Sequence, residues 1–322
     1  MLERISRPRA NVLGVLTYHR IDLPERRPSL YPGLISATPG DFERQMAFVA
    51  ANCRVVGAAE LLEARRNGVG LPPRSVMITF DDAYRDFAEY AWPVLERLGL
   101  AVTLFVPTGY PDRPERAFWW DRLHQAVQET ERTEVTTPVG TMPLAGEESR
   151  ALAYRRLRDY LKTVPHGQAT ATMEQLAGEL GAPAATSAVL GWEELRQLAG
   201  SGVTLAPHTR NHPLLDRVSA DQARAEIAGS VEDLEREIGS TLPVFAYPSG
   251  QLNDAVVAAL EEMGFEAAFT TARGPNDLRN ANWLRLGRIN ITRRATVPLI
   301  RAQLLPVTAR LSRSREAVSD QW

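Results

Sequence analysis

The stretch Ser75-Val-Met-Ile-Thr-Phe80-Asp81-Asp82 places two adjacent carboxylates directly after six mostly apolar residues. A short apolar run bounded by charged residues is typical of a strand buried on both faces. Parallel barrels carry their chemistry at the carboxyl ends of their strands. Two interpretations of the pair stay open, because aspartate is also a good N-cap for a following helix. The sequence therefore predicts a buried strand that ends in a helix cap or in a functional carboxylate pair.

Similar apolar runs alternate with helical patterns on both sides of this stretch. Further strands are predicted at 12–18, 54–56, 101–106, 203–206, 244–247, 267–270 and 286–291. Helices are predicted from 41, at 58–67, 84–98, 192–199, 220–238 and 254–263. Strands that alternate with helices across short turns predict an α/β fold with a mostly parallel sheet. With about seven strands, a closed or nearly closed barrel is the leading form.

One long segment, residues 111–190, interrupts this alternation. It carries helical patterns near 118–130, 148–162 and 168–180, with apolar faces of its own. We therefore predict a barrel formed by 11–110 and 191–310, a helical insertion at 111–190, and a flexible tail at 311–322. Because the insertion leaves the barrel between two strands, we expect it to form a wall beside the strand ends.

Composition excludes several classes of protein. The 322 residues carry 37 Lys+Arg against 39 Asp+Glu, a net charge of −2, so no basic excess points to nucleic acid. Cys53 is the single cysteine, which excludes an intrachain disulfide and a cysteine zinc cluster. Lys162 is the single lysine, and its polar helical setting argues against Schiff-base chemistry. Without an apolar leader or a run of about 20 apolar residues, we expect a soluble cytoplasmic protein.

The stretch His208-Thr-Arg-Asn-His212 follows the predicted strand 203–206. Histidines four residues apart on one helical turn point the same way and can reach one ion. Two surface histidines in a turn are the alternative. If an aspartate from 81–82 lies nearby, two histidines and one carboxylate leave coordination positions open for water and substrate. The second carboxylate could then act as a base on that water, in a metal-assisted hydrolase.

Four stretches carry a resemblance to a known family. Leu16-Thr-Tyr-His-Arg-Ile21, Thr79-Phe-Asp-Asp82, His208-Thr-Arg-Asn-His212 and Phe245-Ala-Tyr-Pro-Ser-Gly250 occur in the order seen in polysaccharide deacetylases with a NodB-type domain. The chain resembles carbohydrate esterase family 4 over roughly 11–110 and 190–291. The resemblance implies a distorted (β/α)7 barrel that removes acetyl groups from N-acetylated sugars with a divalent metal, most often zinc.

The resemblance also implies roles for individual residues. Asp82, His208 and His212 would be the metal ligands, and Asp81 the general base. In the turn Tyr247-Pro248-Ser249-Gly250, the backbone N–H of Ser249 would stabilise the developing oxyanion. Apart from the resemblance, Tyr247, whose ring could stack on a sugar, and Pro248 of the same turn are predicted substrate contacts. A simple Pro-Gly loop is the alternative interpretation of this turn.

The sequence departs from the family pattern at three places. Ala83 stands where the family usually has glycine. Phe245 and Ala246 replace the arginine that orients the base, so Arg285 or Arg288 could substitute, although both could be surface residues. No histidine follows His212, so the late Leu-x-His motif that supplies the general acid is missing. His19 is the candidate acid, and a structural histidine is the alternative.

Aromatic residues of the insertion are candidate sugar contacts. Trp119 and Trp120 could stack on sugar rings or belong to the core. Trp192 is predicted to be core, and His124 and His166 are assigned no role.

These observations predict a metal-dependent hydrolase that removes N-acetyl groups from an N-acetylated glycan, glycolipid-linked sugar or sugar precursor. Peripheral contact with a lipid-linked glycan is compatible with it. One alternative keeps the metal site but cleaves another C–N bond or an O-acetyl ester. A second is a catalytically silent relative that binds a glycan or a partner.

Overall fold

The computed structural model describes residues 10–183 and 188–305. Its strands, numbered along the chain, are Val12–Tyr18 (β1), Arg20–Ile21 (β2), Ile35–Ala37 (β3), Arg54–Val55 (β4), Ser75–Asp81 (β5), Thr103–Val106 (β6), Glu134–Thr137 (β7), Gly140–Pro143 (β8), Thr204–Pro207 (β9), Val244–Ala246 (β10), Ala267–Arg273 (β11), Asn276–Asp277 (β12) and Leu286–Asn290 (β13). The predicted tail at 311–322 lies outside the described residues.

The helices are Pro39–Asn52 (α1), Ala58–Arg66 (α2), Trp92–Arg97 (α3), Trp119–Glu129 (α4), Glu147–Thr163 (α5), His166–Glu179 (α6), Trp192–Gly200 (α7), Ala220–Ile238 (α8), Asp254–Glu262 (α9) and Val297–Gln303 (α10). A π-helical segment, Phe87–Ala91, leads into α3. Polar residues fix several helix starts: the side chains of Thr38, Ser219 and Asn253 accept backbone N–H groups at the starts of α1, α8 and α9. Of the helices described, none is both long and apolar enough to cross a lipid bilayer.

Seven strands form the main sheet in the order β10-β11-β13-β1-β5-β6-β9, and all neighbours along this path are parallel. β4 adds to β5, and the short β12 pairs antiparallel with β1. The two ends of the path approach each other, since Thr241 Oγ1 donates to the Leu205 carbonyl of β9 at 3.1 Å. The predicted α/β fold, a mostly parallel and nearly closed barrel, is confirmed.

Both faces of the sheet are buried, as the continuous apolar strands predicted. Successive side chains of a strand point to opposite faces. In β1, Leu13 and Val15 therefore pack with Met77 of β5 in one hydrophobic cluster, whereas Leu16 and Tyr18 join another. In the register of β1 and β5, Tyr18 lies opposite Phe80, so the two strands end side by side.

Between β6 and α7 the chain forms a separate layer of three helices, α4 to α6, and the β7–β8 hairpin. These elements share a hydrophobic cluster that includes Leu123, Leu157 and Leu176. The hairpin was not predicted, because its strands are short and largely polar, with Val135 and Met142 as their buried residues. The limits of 111–190 as a domain stay a prediction.

Candidate active site

The carboxyl ends of β1, β5 and β9 and the turn after β10 meet at one edge of the barrel. They surround a cavity of about 500 Å³, counted with its open mouth. Eight of the predicted site residues line it: His19, Asp81, Asp82, Trp119, Trp120, His208, His212 and Ser249. Residues far apart in sequence thus meet because parallel strands end at the same edge.

Asp82, His208 and His212 form a compact cluster. Each offers a potential ligand atom, and these atoms all lie within 4.8 Å of one another. Asp82 Oδ1 is 3.6 Å from His208 Nε2 and 3.3 Å from His212 Nε2. All three side chains are buried. Because His208 Nδ1 is 2.7 Å from the Ala246 carbonyl oxygen, its Nε2 is directed to the cluster.

The electrostatics of this cluster fit a bound cation. Burial lowers the pKa of His208 and of His212, which keeps both imidazoles neutral, the form that ligates metals. Burial, followed by the charge of Asp81, raises the pKa of Asp82 well above its usual value. Within the described part of the chain, no hydrogen-bond donor reaches the buried Oδ1 of Asp82. Two neutral imidazoles and a carboxylate that lacks a donor suit a divalent ion.

Strained backbone places these side chains. Asp82 has φ 72°, Ala83 φ 51°, Thr209 φ 64° and His212 φ 56°, all in the left-handed region that favours glycine. Such conformations cost about 1–3 kcal/mol each and concentrate at functional sites. The positive φ of Ala83 explains why a glycine suits this position. It also shows that alanine is tolerated there.

Asp81 points to a different partner. Arg288 of β13 donates from Nη1 and Nη2 to its two carboxylate oxygens, at 2.8 and 2.7 Å, and both side chains are buried. Burial alone would raise the pKa of Asp81, but the charge and hydrogen bonds of Arg288 hold it well below its usual range. Of the two arginines considered, Arg288 orients Asp81, whereas Arg285 pairs with the exposed Asp254 at the surface.

His19 completes the polar floor of the cavity. Its Nε2 lies 3.9 Å from Asp81 Oδ2. Burial lowers its pKa to about 4, against a weaker opposing effect of Asp81. The backbone N–H of His19 donates to Ser36 Oγ at 3.0 Å, which holds the end of β1 in place.

Some residues of the turn after β10 line the cavity, whereas others are buried in the core. Ser249 lines the cavity and has φ 52°. Thr271 Oγ1 donates to its carbonyl oxygen at 3.3 Å. Tyr247 is fully buried in an apolar cluster, and its hydroxyl donates to the Leu284 carbonyl at 2.7 Å. Among the described cavity-lining side chains, neither Tyr247 nor Pro248 occurs, so their positions give no support to substrate contact.

Trp119 and Trp120 stand at the start of α4 and have different surroundings. The Trp120 ring packs edge-on against His212 at 5.0 Å, and its Nε1 donates to Tyr84 Oη at 2.9 Å. Tyr84 in turn donates to Asp121 at 2.6 Å. Trp120 is thus chiefly packed beside a cluster histidine. Trp119 is half-buried and lies between this cavity and a second one of about 1340 Å³.

Several cavity residues escaped the sequence analysis. Tyr154, Arg158 and Lys162 of α5 line the cavity, together with Tyr31 and Thr271. The four-residue spacing on α5 was visible in the sequence. These residues lie beside the apolar stripe Ala153, Leu157 and Leu161. In sequence, a polar stripe next to an apolar one indicates a helix face exposed to solvent.

Comparisons with known proteins agree with this arrangement. A family model described as polysaccharide deacetylase matches residues 68–137 and 153–268, more than half of the chain. The poly-beta-1,6-N-acetyl-D-glucosamine N-deacetylase of Escherichia coli K12 is 23% identical over 279 residues, which cover 78% of this chain and 32% of that protein. The chain spans about a third of the length of the curated relatives it matches.

Solved structures share the fold. The deacetylase PplD of Streptococcus pyogenes, in complex with acetate, superimposes with a TM-score of 0.61 at 21% identity, over 93% of this chain and all of that one. IcaB from Ammonifex degensii gives a TM-score of 0.59 at 18% identity, over 91% of this chain and 97% of that one.

Proposed function

The chain belongs to the polysaccharide deacetylase family, and on that premise we propose that it is a metal-dependent hydrolase of N-acetylated sugars. It would release acetate and leave the free amine on a glycan, a glycolipid-linked sugar or a sugar precursor. The observation that supports this most is the Asp82–His208–His212 cluster with the ionised Asp81 directly beside it.

We assign Asp82, His208 and His212 as the metal ligands, with zinc as the favoured ion. When bound there, a divalent ion would polarise the amide carbonyl and lower the pKa of water toward about 7. The neutral imidazoles and the buried carboxylate support this assignment. Cysteine is absent from the ligand set, because Cys53, the chain's single cysteine, lies elsewhere.

Asp81 would act as the general base. It stays ionised at neutral pH because of Arg288, and the ionised form is the one that accepts a proton. The bidentate pair also fixes the plane of the carboxylate toward an attacking water. The backbone N–H of Ser249 would stabilise the negative charge that develops on the carbonyl oxygen.

His19 would carry the proton to the leaving amine. With a pKa of about 4, its imidazole is neutral in the resting protein and must be protonated before it can donate. Asp81 lies 3.9 Å from His19 Nε2 and holds a proton once it has deprotonated water. A relay from water to Asp81, to His19 and then to the amine nitrogen would balance the reaction without a late histidine, and it requires that Asp81 and His19 approach to hydrogen-bond distance in the substrate complex.

Acetate release tests the proposal. The purified protein would be treated with a chelator, reloaded with Zn²⁺, and assayed on β-1,6- and β-1,4-linked N-acetylglucosamine oligomers and on an O-acetylated sugar. We expect release from an N-acetyl substrate that chelation abolishes and zinc restores. Release from the O-acetylated sugar alone would identify an esterase. No release from any substrate would identify a silent binding protein.

The expected cytoplasmic location stays a prediction, to be tested by cell fractionation.

A further inference from the structure

One wall of the cavity is basic and belongs to α5. Tyr154, Arg158 and Lys162 follow one another at four-residue intervals, so they share one face of the helix. The neighbouring stripe, which includes Leu157 and Leu161, is buried in the cluster of the helical layer. Because that apolar stripe fixes the rotation of α5, the polar stripe is held against the cavity.

Charges in the cavity are unevenly distributed. The carboxylates among the described lining residues are Asp81 and Asp82, both on the barrel side. Asp81 is neutralised by Arg288, and Asp82 belongs to the metal cluster. Arg158 and Lys162 place two cationic side chains on the opposite wall, and the carboxylate paired with Arg158, that of Asp159, lies outside the cavity lining.

The surroundings of Arg158 and Tyr154 suit an anionic ligand. Arg158 donates from Nε and Nη2 to Asp159 Oδ1 at 2.9 and 2.6 Å and from Nη1 to Tyr31 Oη at 3.5 Å. Because the Asp159 side chain is 64% exposed, solvent weakens its pairing with Arg158, whose own side chain is 16% exposed. The Tyr154 ring packs on Tyr31 with centroids 4.5 Å apart. Its buried hydroxyl has no hydrogen-bond partner in the described part of the chain. A buried donor of this kind favours an incoming acceptor.

We propose that Tyr154, Arg158 and Lys162 form an anion subsite, which selects N-acetylated sugars that carry a phosphate or carboxylate close to the scissile amide. This inference rests on the proposed deacetylase function and narrows its substrate class. Lysine and arginine are the side chains that bind such groups in proteins, arginine by paired hydrogen bonds and lysine as a point charge.

The test compares three probes of similar size: N-acetylglucosamine 1-phosphate, N-acetylmuramic acid and neutral methyl N-acetylglucosaminide. We expect kcat/KM for at least one anionic probe to exceed that for the neutral probe by about 10-fold, and to decline as salt is added. Comparison of the phosphate probe with the carboxylate probe shows which of the two anionic groups the subsite prefers. In Arg158→Gln and Lys162→Gln, the anionic-to-neutral ratio should fall to near one.

Arg156→Gln is the matched control, because it removes the same charge from an exposed position of the same helix, outside the cavity lining. It should keep the ratio of the parent protein. Equal hydrolysis of all probes, or an anionic-to-neutral ratio that is unchanged in both Arg158→Gln and Lys162→Gln, would overturn the subsite while the deacetylase function stands.

If none of these monosaccharide probes releases acetate, the oligomer assay still decides the proposed function, and calorimetric titration decides the subsite separately. Weaker binding of N-acetylglucosamine 1-phosphate, by about 10-fold in Arg158→Gln and Lys162→Gln but not in Arg156→Gln, would support it. Unchanged binding in those variants would overturn it.

Discussion

Arg288 and Asp81 lie 207 residues apart in the chain and meet in the interior through two hydrogen bonds of 2.8 and 2.7 Å. The Arg288 Nε also donates to the Thr270 carbonyl at 2.9 Å, so the guanidinium is held on both sides. An arginine that binds both carboxylate oxygens sets the position and the plane of the acid. Arg288 of β13 thus supplies the cation that is missing at Phe245 and Ala246 of β10.

Substitution of Arg288 should therefore impair activity, although Arg288 lies far in sequence from Asp82, His208 and His212. Arg288→Lys keeps the charge but loses the paired geometry, and we expect turnover to fall by up to about 10²-fold. Arg288→Ala leaves a buried carboxylate unpaired, which should cost about 3–5 kcal/mol of stability. Acetate-release rates and urea unfolding measure the two effects.

Arg285→Ala is the control for this prediction. Arg285 pairs with Asp254 at the surface, and removal of an exposed pair changes stability by about 0.5 kcal/mol or less. Equal losses in the Arg285 and Arg288 variants would show that the buried pair has no special role.

Much of the architecture could be predicted because local patterns determine it. The run Ser75–Phe80 is mostly apolar, and the observed strand Ser75–Asp81 extends it by one residue. Asp82, His208 and His212 could be found because each motif is short and the barrel brings strand ends together. The choice between Arg285 and Arg288 could not be made, since only the register of β13 decides which side chain faces Asp81.

A wall formed by the insertion could be expected from the sequence, but which of its side chains line the cavity could not. Arg158 and Lys162 are ordinary polar helix residues until the packing of α5 in the helical layer is known. Tyr247 shows the opposite case. Its aromatic ring indicated a sugar contact, but the ring is buried in the core and the hydroxyl donates to the Leu284 carbonyl. Long-range packing, which no local pattern encodes, determines both outcomes.

The two adjacent aspartates should respond differently to substitution. Asp82→Asn removes a ligand, so we expect loss of tight metal along with activity, as in His208→Ala and His212→Ala. Asp81→Asn should keep the metal and lose turnover by roughly 10²–10⁴, the usual contribution of a positioned base. Elemental analysis measures the metal content of each variant, and acetate-release rates measure its turnover. A metal-free Asp81→Asn with a fully loaded Asp82→Asn would reverse the assignment.

His19 should make the fold sensitive to mild acid. Its pKa is about 4 in the folded protein against an ordinary 6.5. Above pH 6.5 the imidazole is neutral in both states and contributes nothing to the pH dependence. Between pH 6.5 and 4 the unfolded chain takes up the proton first, so the free energy of unfolding falls, by up to about 3 kcal/mol.

The measurement is urea unfolding of the parent protein and of His19→Gln at several pH values. The variant should lose less stability than the parent between pH 6.5 and 4, because glutamine does not titrate. Parallel pH curves would show that His19 titrates normally. The same variant should lose turnover, and full turnover with a normal pH–rate profile would exclude His19 from proton transfer.

Trp119 should govern how the protein handles longer substrates. It is half-buried, contacts Trp120 edge-on at 5.6 Å, and lies between the cavity at the metal cluster and the larger cavity beside α6. An aromatic ring in that place can stack on a sugar next to the reacting one, and such contacts contribute about 1–3 kcal/mol. Trp119→Ala should therefore raise KM for a pentasaccharide by about 10-fold and change KM for a monosaccharide far less.

Trp283→Ala is the control, since Trp283 is also half-buried but stacks under Arg65 and lies outside both cavities. Kinetics on a series of N-acetylglucosamine oligomers measure the effect. If KM shifts equally for the monosaccharide and the pentasaccharide, Trp119 acts on the reacting sugar or on the fold, and the larger cavity has no part in substrate length.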